Sequence, residues 1–298
     1  YFFPYKRNPK AYSTGDVPDL ENGKPGDYLT DALTTRAIGF MEETVKQGEK
    51  PFFLVLGHYA VHTPIQAPQA LIEKYRAKRQ RMYGGKPLKT IPEYGNSRTR
   101  GRQGDPTYAG MVESLDTNVG RVVDALDKLG VTRDTIIVFT SDNGGESNRS
   151  GNVPFGPTCN LPLRAGKGWN YEGGIRVPAF ITWPGQIDPA TSSERVITMD
   201  IYPTLLELTG CKSLPDQHVD GQSLAPLLTG KSKSLHRSFL AWSKPHQRGA
   251  SRPSAAIIKD DWKLIHYLGT ESTELYNLDD DPGETSDLSA SEAGKSSK

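Results

Sequence analysis

The sequence predicts an α/β fold, a mostly parallel sheet flanked by helices, followed by a small antiparallel subdomain. Three observations carry this expectation. Helical periodicity alternates with short apolar runs through the first part of the chain, the pattern of a sheet sandwiched by helices. Those runs are continuous, as in strands buried on both faces. After about Lys231 the texture changes to shorter alternating segments, which fit a sheet with one wet face.

The opening stretch, through Pro25, is rich in Pro, Gly, Asn and Asp and reads as loop. It starts at Tyr1 with neither a methionine nor the basic and apolar regions of a signal peptide, so the expectation is a fragment that opens in mid-loop. Leu29, Leu33, Ala37, Phe40, Met41 and Val45 recur at helical spacing between Asp27 and Gln47. Phe52-Phe53-Leu54-Val55-Leu56 then reads as a first buried strand. A short helix and a long basic surface loop follow from Ala67 to Arg102. A helix over about Tyr108–Leu129 has Met111, Leu115, Val119, Val122, Val123, Leu126 and Leu129 inward and stops at Gly130. Thr135–Thr140 and Pro178–Trp183 are the second and third buried strands, and Asp200 caps a helix that holds Pro203 in its first turn and closes at Gly210. Ser238–Ser243, Ala255–Lys259, Trp262–Tyr267 and Glu274–Leu278 make the antiparallel sheet, with Asp260-Asp261 as a turn.

The expected organisation is therefore a core over residues 1–231, incomplete at its N-terminus, a subdomain over 232–288, and a disordered tail over 289–298 composed of Ser, Ala, Glu, Gly and Lys. There is no internal repeat. A chain of 298 residues with 24% charged and 35% hydrophobic side chains suits a soluble globular protein able to bury a large core. No apolar run approaches the length of a membrane span. The net charge of +1, from 36 basic and 35 acidic residues, gives no electrostatic case for a nucleic-acid or membrane partner. Cys159 and Cys211 decide little: their spacing allows a disulfide or two thiols, and unpaired structural cysteines are the simpler reading.

Three loops carry candidate chemistry. Asp142 and Asn143 follow the second buried strand, at the carboxyl edge where open α/β sheets bind ligands. One charged and one neutral oxygen suit a hard cation such as Ca²⁺; an Asx-Gly turn is the competing reading. His58 and His62 follow the first strand, where a histidine can donate to an anion or protonate a leaving group, or simply face solvent. Lys167 sits between Gly166 and Gly168, which leave its ammonium unobstructed. A flexible basic turn is the alternative, although the density of Gly and charge before the third strand exceeds what one connection requires.

Taken in order, these stretches resemble the formylglycine-dependent sulfatase family. The resemblance rests on Tyr59-Ala60-Val61-His62-Thr63-Pro64, on Phe139-Thr140-Ser141-Asp142-Asn143-Gly144-Gly145, and on Arg164-Ala165-Gly166-Lys167-Gly168 with Tyr171-Glu172-Gly173-Gly174-Ile175-Arg176. It continues through Asp200-Ile201-Tyr202-Pro203-Thr204, Asp220-Gly221-Gln222-Ser223-Leu224 and Glu274-Leu275-Tyr276-Asn277-Leu278 with Asp281-Pro282, so that it spans about Asp27 to Leu288. It implies an alkaline-phosphatase-like core and hydrolysis of sulfate esters by a formylglycine made from Cys or Ser. Position by position it implies that Asp142 and Asn143 are ligands of one calcium ion. His62 then contacts sulfate and protonates the leaving oxygen, and Lys167 binds sulfate and the bridging oxygen. A cation, a lysine and an imidazolium suit the negative charge that develops as the ester breaks.

The departures matter equally. The family's Cys/Ser-x-Pro-x-Arg nucleophile pattern is absent: Cys159-Asn160-Leu161-Pro162-Leu163-Arg164 places its proline and arginine one position too late. The family's upstream aspartate pair, lysine and histidine are absent too, and Asp260-Asp261 and Asp279-Asp280-Asp281 read as exposed turns. The formylglycine is expected only in a missing N-terminal segment, and residues 1–298 alone are expected to be inactive. The resemblance also implies a periplasmic or secreted protein whose sulfate-ester substrate is a sulfated carbohydrate, since the basic loop from Lys74 to Arg102 offers contacts to a polyanionic glycan. Two alternatives stand beside this reading, a phosphatase or phosphodiesterase of the same superfold and a non-catalytic sulfated-glycan binder. A short His/Lys set argues against a two-metal phosphatase; an intact or degenerate upstream nucleophile pattern separates enzyme from binder.

Overall fold

The computed structural model describes residues 1–3, 5, 17–149, 156–214, 216–217, 220–247, 251–270 and 272–292. It divides into two compact units, the first made of Tyr1–Glu93, Ser97–Thr132 and Glu146–Cys159, the second of Tyr94–Asn96, Arg133–Gly145 and Asn160–Lys298. In chain order the elements are α1 (Leu29–Gln47), α2 (Gln69–Tyr83), β1 (Thr90–Pro92), β2 (Arg98–Arg100), α3 (Pro106–Lys128), β3 (Ile137–Thr140) and β4 (Asn148–Arg149). They continue with α4 (Glu172–Ile175), β5 (Ala179–Thr182), α5 (Ile201–Leu208), α6 (Ala225–Leu228), β6 (Leu240–Lys244), β7 (Ser254–Lys259), β8 (Trp262–Tyr267) and β9 (Ser272–Asn277).

In the first unit α1 buries Leu29, Ala37 and Met41 and ends where Gly48 adopts the left-handed conformation, its N–H returning to the Thr44 carbonyl. α3 begins at Asp105, whose Oδ1 accepts the N–H groups of Thr107 and Tyr108 at 3.0 Å each, with Pro106 at the first helical position. α3 buries Met111, Ala125 and Leu126, but Val123 is exposed. Ser114 and Asn118 take the buried stripe beside it, and Asn118 Nδ2 donates to Asp31 Oδ1 at 2.6 Å, tying α3 to α1. Tyr1, Tyr28, Leu29, Ala67 and Met111 form one apolar cluster. The long loop expected after α2 is partly ordered as a hairpin, β1 and β2, to which β4 adds a third antiparallel strand.

In the second unit β6, β7, β8 and β9 form a four-stranded antiparallel meander, as expected, with Asp260 in the left-handed conformation at the β7–β8 turn. Burial alternates along β8, where Lys263, Ile265 and Tyr267 face inward. The boundary expected near Lys231 falls inside this unit. Of the tail, residues 293–298 lie outside the described residues.

The strand pairing expected of the core differs. Phe52–Leu56 pairs with no strand among the described residues, and β3 pairs with β5 antiparallel, Phe139 opposite Phe180. Phe53 and Val55 are each 77% exposed and Phe180 is 64% exposed. An apolar run signals that a segment is suited to burial; it encodes neither the partner nor the direction of the ladder. Asp200 stands at the N-cap position of α5, as expected, but its side chain caps no N–H of that helix. It is fully buried, and its carboxylate accepts from the N–H groups of Ile197 (2.9 Å) and Gln222 (2.8 Å) and from Arg237 (2.6 Å). No disulfide joins Cys159 and Cys211. No described helix is long and apolar enough to cross a membrane.

Candidate active site

Asp142 and Asn143 sit on the loop that leaves β3, and Lys167 on the loop that precedes α4; all three belong to the second unit. Backbone bonds knit these two loops together. Lys167 N–H donates to the Gly145 carbonyl at 3.1 Å and Gly144 N–H to the Gly174 carbonyl at 2.9 Å. The approach is so close that a Cβ on Gly144 would overlap the Gly173 carbonyl, and one on Gly173 the carbonyls of Arg164 and Ala165. Asn160 completes the join: its Nδ2 donates to the carbonyls of Gly145 (2.7 Å), Ala165 (3.0 Å) and Gly173 (3.0 Å).

The Lys167 loop is in turn seated on the β6–β9 sheet. Ala165, Trp169 and Tyr171 are buried with Ala256, Ile258, Ile265, Tyr267 and Tyr276. Beneath them lies a buried charge triad. Lys263, with no exposed surface, pairs with Glu172 at 3.0 Å and with Glu284 at 2.8 Å, and Glu284 Oε2 accepts the Glu172 N–H at 2.6 Å. Burial pushes the Glu284 carboxyl up to about 7, against the opposing pull of Lys263. Tyr171, Tyr267 and Tyr276 all place their hydroxyls within 3.2 Å of Glu274 Oε2, and burial raises all three phenols well above the usual range. The Arg164 guanidinium stacks 4.1 Å from the Tyr171 ring and donates to Tyr276 Oη.

Asp142 is exposed, and its Oδ1 accepts from Asn143 Nδ2 at 2.7 Å, which leaves Asp142 Oδ2 and Asn143 Oδ1 as hard acceptors. That donor type fits calcium, although two residues supply only part of its roughly six to eight oxygens. No group of three or more His, Cys, Asp or Glu suited to a metal occurs among the described residues. Lys167 has no ion-pair partner among the described residues, so its ammonium is available to an anion.

His62 belongs to the first unit and is exposed. Its Nδ1 lies 2.9 Å from the Thr63 carbonyl and 3.3 Å from the Thr63 hydroxyl, so it donates to the carbonyl in the Nδ1-protonated tautomer. His58, also in the first unit, has both ring nitrogens buried without a partner among the described residues, and burial lowers its pKa. Neither Asn160 nor the Lys263 triad belongs to the residues expected from the sequence to form the site. A lone loop asparagine offers no periodic signal. Lys263 did offer one, because it stands in phase with Ile265 and Tyr267 on the inward face of β8.

The Sulfatase family model matches residues 2–211, and the model for the C-terminal part of N-sulphoglucosamine sulphohydrolase matches residues 165–296. The chain is 36% identical over 296 residues to a sulfatase of Formosa agariphila, covering 93% of this chain and 48% of that protein. It is 33% identical over 243 residues to human steryl-sulfatase, covering 80% of this chain and 36% of the relative. The crystal structure of Ps i-CgsB in complex with k-i-k-neocarrahexaose is 31% identical with a TM-score of 0.71, covering 99% of this chain and 61% of that one. The chain thus spans about half or less of the length of the curated relatives it matches. Its fold is the alkaline-phosphatase-like fold of these enzymes, with the C-terminal antiparallel sheet expected from the sequence. The chain belongs to the sulfatase family.

Proposed function

We propose that this chain supplies the ester-binding and ester-polarising groups of a sulfuric ester hydrolase acting on a sulfated carbohydrate. The observation that carries the reading is the join between the Asp142–Gly145 and Lys167 loops, which holds a hard-oxygen pair and an unpaired ammonium within one unit. Asp142 and Asn143 would hold a calcium ion through their oxygens, and the ion, when bound, supplies positive charge to the nonbridging sulfate oxygens. Lys167 binds a sulfate oxygen and stabilises charge on the departing bridge oxygen. His62, in the first unit, is a candidate general acid by residue type. The nucleophile pattern of the family does not occur in residues 1–298, so these groups bind and polarise the ester and do not attack it.

The carbohydrate assignment is supported by the 31%-identical structure solved with k-i-k-neocarrahexaose. A periplasmic or secreted location accompanies this reading. The test is aryl-sulfate and glycan-sulfate hydrolysis by the protein in its full encoded length. Lys167→Ala is expected to lower kcat by about 10²-fold or more with an unchanged melting temperature, the scale of removing one transition-state charge partner. Chelation of calcium is expected to abolish turnover, and calcium to restore it. Full turnover after both Lys167→Ala and chelation would overturn the assignment.

A further inference from the structure

Charge in this near-neutral chain is unevenly distributed. Residues 69–104 hold ten Lys and Arg against two Glu, a net of +8; the remaining residues carry 26 basic and 33 acidic groups, a net of −7. Within this segment α2 carries Lys74, Arg76, Lys78, Arg79 and Arg81, and no residue of α2 is buried. Lys74/Lys78, Arg76/Arg79 and Lys78/Arg81 stand at the helical spacings where like charges destabilise a helix. Few counter-charges relieve them. Glu73 accepts from Gln69, Glu113 pairs with Lys74 at 2.6 Å, and Asp105 lies 3.9 Å from the buried Arg100. Arg76, Arg79, Arg81, Lys86 and Lys89 have no ion-pair partner among the described residues.

The cations are contiguous. Lys74 and Lys78 each lie within 5.7 Å of the centre of the Tyr75 ring, one from either side in sequence. Arg102, just past β2, lies 5.3 Å from the ring of Tyr83 at the end of α2, and Gly101 N–H donates to the Lys89 carbonyl at 2.8 Å. The helix and the hairpin therefore present one basic surface, with Lys74, Arg76, Lys78, Arg81, Lys86, Lys89 and Arg102 all exposed. Folding alone does not require this: a helix whose outer face needs only solvation is served by mixed charges.

We propose that α2 and the β1–β2 hairpin form a docking surface for a polyanionic sulfated polysaccharide, which binds an extended stretch of the polymer through charge complementarity. The identity of the polymer rests on the sulfated-carbohydrate reading above; the surface itself does not depend on catalysis. None of its residues belongs to the groups assigned to ester binding.

The test measures affinity for a sulfated galactan, for its chemically desulfated form and for duplex DNA, by titration at low and physiological salt. Three proteins are compared: wild type, a variant carrying Arg76→Gln, Lys78→Gln, Arg81→Gln and Lys86→Gln, and a control carrying Lys212→Gln, Lys231→Gln, Lys233→Gln and Lys259→Gln. The control removes the same charge from exposed positions elsewhere. Wild type is expected to bind the sulfated polymer with an affinity that falls as salt rises. The α2 variant is expected to lose roughly tenfold or more of that affinity, on the scale of four exposed charge contacts. The control and the desulfated polymer separate the surface from net charge and from sugar contacts. Equal loss in both variants, equal binding of the desulfated polymer, or equally tight DNA binding would each overturn the proposal. Turnover of a small aryl sulfate by the full-length protein is expected to be unchanged by the α2 variant. If turnover is absent while the α2 variant still loses polymer binding, the catalytic reading fails and the docking surface stands; intact turnover with unaffected polymer binding gives the reverse.

Discussion

The two sheets of the second unit are built from similar residues and end in opposite states. In the β6–β9 sheet Ile265, Tyr267, Leu275 and Tyr276 are each 2% exposed or less. In the β3–β5 pair no residue is buried, and Phe180 stands 64% exposed. The difference lies in what covers each sheet, since intrinsic strand preference is alike. The loop around Lys167 brings Ala165, Trp169 and Tyr171 down onto β6–β9, together with the polar groups needed to satisfy its own backbone. β3 and β5 receive no such cover from the described residues. Burial is thus a property of the partner surface as much as of the strand.

Substitutions that separate the two sheets sharpen this contrast. The largest effect is expected at Lys263, whose replacement by Met leaves the carboxylates of Glu172 and Glu284 buried without their cation. Breaking a buried ion pair from one side costs about 3–5 kcal/mol, and urea unfolding is expected to show a loss of that size.

Glu284 comes next. Its folded carboxyl is raised from 4.5 to about 7, so the folded state holds a proton that the unfolded state has released. The stability this contributes is fully present below about pH 4.5 and is lost as pH rises through 7, an amount on the order of 3 kcal/mol. Glu284→Gln is expected to flatten the fall in melting temperature between pH 5 and pH 8; an unchanged slope would show that Glu284 is not the titrating group.

Asn160→Ala removes one donor from three carbonyls and is expected to cost about 1–3 kcal/mol. Amide exchange at Lys167 and Gly144 is expected to quicken, because their bonds cross the join that Asn160 holds. The smallest effect is expected at Phe180: replacing this exposed ring by Ser is expected to change stability by about 0.5 kcal/mol or less in either direction. A loss at Phe180 comparable to that at Lys263 would end the contrast.

The sequence revealed most where one segment determines its own geometry. Asp105-Pro106 announces the start of α3, and alternation along Trp262–Tyr267 announces β8 and its inward face. It revealed least where the outcome depends on a distant partner. Phe52–Leu56 and the antiparallel β3–β5 pairing are of this kind, because apolar content does not name the neighbouring strand. The site divides in the same way. Asp142, Asn143 and Lys167 stood out by residue type and glycine context. Asn160 did not, because its three acceptors lie 5 to 15 residues away and meet it only through the fold.

The stacking of Trp169 on Tyr171, with ring centres 5.6 Å apart, has a practical consequence. Trp169 is 5% exposed and lies two residues from Lys167. The other three tryptophans are Trp183, Trp242 and Trp262. With those three changed to Phe, fluorescence comes from a single emitter seated in the loop itself. Its emission is short-wavelength while the indole stays packed and shifts to longer wavelength once water reaches it. Lifting of the Lys167 loop from β6–β9 becomes an optical event, readable in milliseconds and at concentrations far below those that binding calorimetry needs.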